Sequence, residues 1–173
     1  ARHTQYDLLP QEGDTCLYLG AGHGTSLSHI HDQVCGSDNQ KNGRIIAVDL
    51  SPRCLRDLVH LASLRPGLVP VLGDARKHSA WGIMVASKVD WLLQDVSQAG
   101  QAEIFINAVK RFLKKGGKGL LSLKAASERF NEGGEREVFQ NVRDQLEDAG
   151  LTIEEQIDLH GLEDNHCLYF VTN

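Results

Sequence analysis

The sequence lacks the features that mark several protein classes. It has no apolar run long enough to span a bilayer and no signal-peptide pattern at its start, so no membrane helix is expected. It has no C-x-x-C pair among Cys16, Cys35, Cys54 and Cys167, which are read as reduced thiols of an intracellular protein. It has no excess of basic charge. A net charge of −5 and a pI near 5.9 argue against strong nucleic-acid binding through bulk charge. It has no repeats, low-complexity stretches or interdomain linkers, so residues 1–173 are expected to form one domain with a substantial core. No metal site is expected either. His29 and His31 are close, but alternate spacing on a helix sends two side chains to different faces.

What the sequence has is one stretch that organises the rest, Cys16-Leu17-Tyr18-Leu19-Gly20-Ala21-Gly22-His23-Gly24-Thr25-Ser26. A short, mostly apolar run reads as a buried strand. A glycine turn follows, and a helix begins at Thr25. Strand, glycine turn and helix N-terminus together form the nucleotide-site pattern of doubly wound α/β proteins, because free N–H groups and the helix dipole face the ligand. A tight turn with no ligand gives the same pattern, so the remaining chain has to decide.

Taken in order, the chain alternates strand-length and helix-length segments. Strands are expected at 16–19, 44–48, 68–72, 89–93, 120–123, 151–159 and 167–171. Helices are expected at 25–34, 52–64, 101–114 and up to about 149. Leu55, Leu58, Val59 and Ala62 should form the buried face of the second helix, and Gly116-Gly117 should stop the third. In the sixth strand Leu151, Ile153, Ile157 and Leu159 should share one face, with Glu155 breaking the pattern. The last two strands have no helix between them. The fold class is therefore α/β, with a seven-stranded, mostly parallel sheet and one antiparallel strand.

Open sheets of this kind bind ligands beyond the carboxyl ends of their strands. Those ends carry Gly20–Gly24, Asp49, Asp74, Asp95 and Lys124. Acids after three successive strands repel a pyrophosphate but suit the ribose, adenine amino group and sulfonium of S-adenosylmethionine. Asp49 would accept from ribose hydroxyls, or else cap the next helix. Ser51 and Pro52 already look like that helix's cap and first turn.

Tyr18-Leu19-Gly20-Ala21-x-x-Gly24-Thr25-x-x-Ser28-His29 resembles the opening motif of the fibrillarin family. These are RNA ribose 2′-O-methyltransferases with a class I methyltransferase (Rossmann-like) fold. Gly73-Asp74-Ala75-Arg76, Asp95-Val96-x-Gln98, Phe112-Leu113-x-x-Gly116-Gly117, Leu123-Lys124-Ala125 and Asp164-x-His166 match in order and spacing. The resemblance runs from about Leu17 to the end. Gln101-Ala102-Glu103-Ile104 and the Lys-Lys-Gly-Gly turn look more like archaeal members. The sequence departs from the family at Gly22 and His23, where Ala and Ser are usual, at Asp49 for Glu, and at His31 for a small polar residue. The family's further active-site lysine and the N-terminal domain of archaeal members would fall before Ala1 by spacing.

The resemblance implies cofactor contacts from Gly20, Ala21, Thr25, Ser26, Asp49, Asp74, Ala75, Asp95 and Gln98, and catalytic roles for Asp95, Lys124 and His166. The chemistry is consistent with those residue types. Methyl transfer from a sulfonium needs no metal, but a ribose 2′-hydroxyl is a poor nucleophile and needs help losing its proton. Lys124 would serve if desolvation favours its neutral amine. Asp95 would orient it, and His166 would hold the hydroxyl or the adjoining phosphate. The resemblance also implies guide RNA and target RNA, a Nop5-type scaffold protein and an L7Ae-type RNA-binding protein as partners. The setting would be cytoplasmic in an archaeon and nucleolar in a eukaryote. Lys110, Arg111, Lys114, Lys115 and Lys118 form a basic cluster that contacts RNA or merely complements a helix dipole. Two other readings stay open, a class I methyltransferase for protein or a small molecule and a non-catalytic subunit that keeps the fold.

Overall fold

The computed structural model describes residues 7–128, 134–160 and 165–173. Its strands are β1 (Thr15–Leu19), β2 (Arg44–Asp49), β3 (Leu68–Leu72), β4 (Val89–Gln94), β5 (Leu113–Lys124), β6 (Thr152–Asp158) and β7 (His166–Thr172). Its helices are α1 (Thr25–Val34), α2 (Pro52–Leu64), α3 (His78–Trp81), α4 (Gln101–Phe112) and α5 (Gly134–Asp148). The sheet order is β3-β2-β1-β4-β5-β7-β6. The first five strands pair in parallel, and β7 runs antiparallel between β5 and β6. The order reverses between β1 and β4, the switch point at which such sheets open a crevice.

Alternation along the strands supplies two cores. Cys16, Tyr18, Ile45 and Ala47 face α1 and α2, whose Leu27, Ile30, Val34 and Leu58 cover them. Leu17, Leu19, Ile46 and Val48 share the other core with Trp81 of α3, Phe105, Ala108 and Phe112 of α4, and Val138 and Leu146 of α5. α2 begins as its sequence dictates. Ser51 is the cap, its hydroxyl accepting from the Cys54 N–H at 3.3 Å, and Pro52 takes the first helical position.

Four expectations are corrected. α4 ends at Phe112, because Leu113 is already extended and is fully buried as the first residue of β5, opposite Val89. Gly116-Gly117 therefore lies inside β5, where the register against β4 slips between Val89 and Trp91. Val59 is 52% exposed, and the inward face of α2 is completed by Leu61 instead. Ile153 and Ile157 do not share a face. A bulge at Glu154 shifts β6 by one residue, so Ile153 stands opposite Val171 and Ile157 opposite Leu168, on different sides of the sheet. Asp164, the first residue of the expected Asp164-x-His166 motif, lies outside the described residues, as do residues 129–133.

Candidate functional site

A cleft of about 470 Å³ opens at the switch point, lined by the ends of β1, β2, β3 and β4 and the turns that follow them. Its first wall is the glycine turn. Gly20 has φ +83°, and a Cβ there would lie 1.9 Å from the Asp95 carbonyl oxygen, so the residue is fixed by the approach of β4 to β1. Gly22 differs. It also has a positive φ, +56°, but an added Cβ would meet nothing within 4 Å. The space at Gly22 is open, whereas Gly20 is filled by the protein's own chain.

Asp49 holds this wall in place. One carboxylate oxygen accepts the Gly22 N–H and the other the Ser51 N–H, each at 2.8 Å. The helix-cap role falls to Ser51, and Asp49 ties the glycine turn to the start of α2. About two of its four lone-pair sites remain for a ligand donor. His23 makes a second tie, with Nδ1 paired to Asp57 at 2.7 Å and Nε2 lying 3.6 Å from the Cys54 sulfur. Beneath the turn, burial pushes the Tyr18 phenol up to about 12, helped by the charge of Asp95 and opposed by a hydrogen bond with Ser26. Ser26, Thr25 and Ala21 do not line the cleft. Gly24 caps α1 without a side-chain hydrogen bond.

At the far wall Gly73 and Ala75 line the cleft, but Asp74 does not. Its carboxylate is gripped by Arg76, with Nη2 donating at 2.8 Å and Nε at 3.0 and 3.2 Å, and also accepts the Arg76 backbone N–H at 3.0 Å. The guanidinium's hydrogen bond holds the Asp74 carboxyl down at about 2. Asp95 and Gln98 close the cleft from β4, and the buried Oε1 of Gln98 has no hydrogen-bond partner among the described residues. Acceptors at Asp49, Asp95 and Gln98 fit a ligand rich in hydroxyl, amino or cationic groups, as S-adenosylmethionine is.

Lys124 and His166 meet through the sheet. They are directly opposite in the β5–β7 register, so their side chains leave the same face at the same edge. His166 is 7% exposed and Lys124 is half-buried. The basic cluster lies elsewhere. It surrounds the end of α4 and the start of β5, the edge opposite the cleft, where Lys114 pairs with Asp90 and Lys118 with Asp7.

Sequence reasoning missed Leu50 and Ser51, which line the cleft, and Gln101 and Glu128, which hold the end of β5. Gln101 carried a signal, as the one polar residue on the apolar stripe it shares with Ile104, Phe105 and Ala108.

Comparison with known proteins places these features in a lineage. The sequence model of the fibrillarin family matches residues 5–173. A fibrillarin-like rRNA/tRNA 2′-O-methyltransferase from Thermococcus sibiricus is 40% identical over 159 residues, covering 92% of this chain and 67% of the relative. The solved Aeropyrum pernix fibrillarin with natively bound S-adenosyl-L-methionine is 33% identical, with a TM-score of 0.78 over 94% of this chain and 67% of its own. A solved fibrillarin/Nop5p complex aligns with a TM-score of 0.84 at 29% identity, over 98% of this chain and 77% of its own.

Proposed function

This chain belongs to the fibrillarin family, and from that premise we propose that it is an S-adenosylmethionine-dependent RNA ribose 2′-O-methyltransferase. The observation that carries the reading is a cleft lined with acceptors at the β1/β4 switch point, with Lys124 and His166 paired at the same sheet edge. The fold is that of class I methyltransferases. When bound, the cofactor supplies an electrophilic methyl group for in-line displacement by a hydroxyl oxygen.

The chain's own residues do the rest. Asp49 accepts from ribose hydroxyls while its two backbone bonds keep the glycine turn in place. Gly20 and Ala21 shape that turn, and Thr25 and Ser26 set the α1 terminus behind it. Ala75 lines the adenine side, with Asp74 tied to Arg76 behind it, and Gln98 offers its free oxygen to a donor. Lys124 takes the proton from the 2′-hydroxyl at Nζ, Asp95 orients that amine, and His166 holds the hydroxyl or the adjoining phosphate.

Target recognition is delegated. A net charge of −5, with the basic cluster turned away from the cleft, leaves little attraction for free RNA. By its family resemblance the chain works with a box C/D guide RNA, a Nop5-type scaffold and an L7Ae-type RNA-binding protein, in the cytoplasm of an archaeon or the nucleolus of a eukaryote. The test is methylation by the particle assembled from this protein, the two partner proteins and guide RNA. A 2′-O-methyl group should appear on the guided nucleotide alone. Methylation that ignores the guide would point to another class I substrate, and no cofactor binding in calorimetry would leave only a scaffold role.

A further inference from the structure

Gln101 is fully buried at the first position of α4, yet its side chain turns neither to the cleft nor to solvent. It holds the backbone of Lys124. The last β4–β5 pair is Gln94 with Leu121, so Ser122, Leu123 and Lys124 run beyond their neighbour on that side. On the other side β7 stays paired to the end, through Lys124 opposite His166, with the Ala125 N–H donating to the Asn165 carbonyl at 2.9 Å. The β4 side would leave the N–H and C=O of Lys124 bare inside the protein, which is costly.

Gln101 fills that place. Its Oε1 accepts the Lys124 N–H at 3.0 Å, and its Nε2 donates to the Lys124 carbonyl at 3.0 Å. A carboxamide is a peptide group in miniature, so this side chain replaces the missing strand for one residue. The carboxamide is itself fixed. Its Nε2 also donates to Glu128 at 2.9 Å, and the Glu128 carboxylate accepts the N–H groups of Gln101 and Gly100 at 2.9 and 3.0 Å. An anion at that helix start is favoured by the dipole. Gln94 completes the chain of bonds, its Nε2 donating to the Gln101 carbonyl at 2.8 Å.

We infer that Gln101 is a positioning residue for the methyl transfer. By gripping Lys124 at both backbone groups, it sets the direction in which that side chain leaves the sheet edge beside His166. The inference rests on the proposed role of Lys124 in accepting the 2′-hydroxyl proton. A displacement of about 1 Å at a reacting group can cost roughly 10²-fold in rate, so a frayed end of β5 is enough to matter.

The test is a double-mutant cycle in the assembled particle. Gln101→Met keeps the length of the side chain and removes its hydrogen bonds. It should lower the single-turnover rate about 10- to 100-fold, leave cofactor affinity by calorimetry near the parent value, and speed exchange of the Lys124 amide proton. In the Lys124→Ala background it should cost nothing further. Equal losses of rate and cofactor affinity, or full additivity with Lys124→Ala, would mean a merely structural residue and overturn the inference. So would a parent-like rate for Gln101→Met where Lys124→Ala is slow. A parent-like rate for Lys124→Ala would instead remove the reading beneath it. If Gln101→Met does not fold, Glu128→Ala loosens the carboxamide without removing it. It should then give a smaller rate loss with the same non-additivity, and full additivity there overturns the inference equally.

Discussion

The two halves of the ligand edge are built from different materials. The half over β1 and β2 is mostly backbone, a glycine turn with positive φ angles whose Gly22 N–H is held by Asp49. The half over β5 and β7 presents side chains, Lys124 and His166 opposite each other on the register, with the Lys124 backbone held by Gln101 and Gln101 by Glu128. A backbone surface leaves no rotamers to freeze when a ligand binds, so it suits a site that must hold a cofactor. Side chains keep titratable groups available, so they suit a site that must move a proton. Changes in the first half should register in affinity, and changes in the second in rate.

The sharpest test of that division is Gly20→Ala. The new methyl would overlap the Asp95 backbone and hold an alanine at φ +83°, so measurable cofactor binding should be lost in calorimetry and the melting temperature should fall. Gly22→Ala should be far milder, because space is open there and only the φ of +56° is strained, at about 1–2 kcal/mol. Equal effects at the two glycines would contradict the contrast drawn between them.

Next in size is Lys124→Ala. Single-turnover methylation should slow by about 10²–10⁴-fold, with cofactor affinity nearly intact. Lys124→Arg should not restore the rate, since arginine does not release a proton near neutral pH. A loss confined to affinity would place Lys124 in the other half. Asp74→Ala should cost less, roughly 0.5–1.5 kcal/mol of cofactor affinity, or about 2- to 13-fold in titration. Its carboxylate is shared with Arg76, so an unchanged affinity would leave Asp74 as an anchor for that guanidinium alone.

The smallest effect is a response to alkali. The Tyr18 phenol is pushed up to about 12 from an ordinary value of 10.0, chiefly by burial beneath the glycine turn. The unfolded chain therefore loses this proton first. The contribution to stability is complete below pH 10 and declines as pH rises towards 12. Urea midpoints at pH 9, 10.5 and 11.5 should fall in that order, and Tyr18→Phe should flatten the slope. An unchanged slope in that variant would assign the alkaline loss to other groups.

Legibility in the sequence follows the same division. The glycine turn, the acids at strand ends and the Ser51-Pro52 helix start are local signals, each readable within a few residues. A seven-stranded, mostly parallel sheet with one antiparallel strand could be read from the alternation of segment lengths. Three features could not. The bulge at Glu154 reverses the faces of Ile153 and Ile157 through pairing with β7, and a period-2 pattern carries no warning of an inserted residue. The end of α4 is set by Leu113 finding Val89 across the sheet, a contact that outweighs the helical continuity of the local sequence. Arg76 closing on Asp74 fills a carboxylate that the strand-end position alone had left open.

The placement of β7 also bears on how the chain is made. It is the last strand in sequence, yet it inserts between β5 and β6. During synthesis the strands around the glycine turn, β1 to β4, leave the ribosome early and can pair among themselves. β5 then waits with an open edge for more than forty residues of further chain, some seconds at the usual pace of about 5–20 residues per second. Such an edge is a template for pairing with a second nascent chain. The strand that closes it begins with His166. The cleft lined by β1 to β4 can thus form before Lys124 meets His166, and that pairing coincides with closure of the β5 edge.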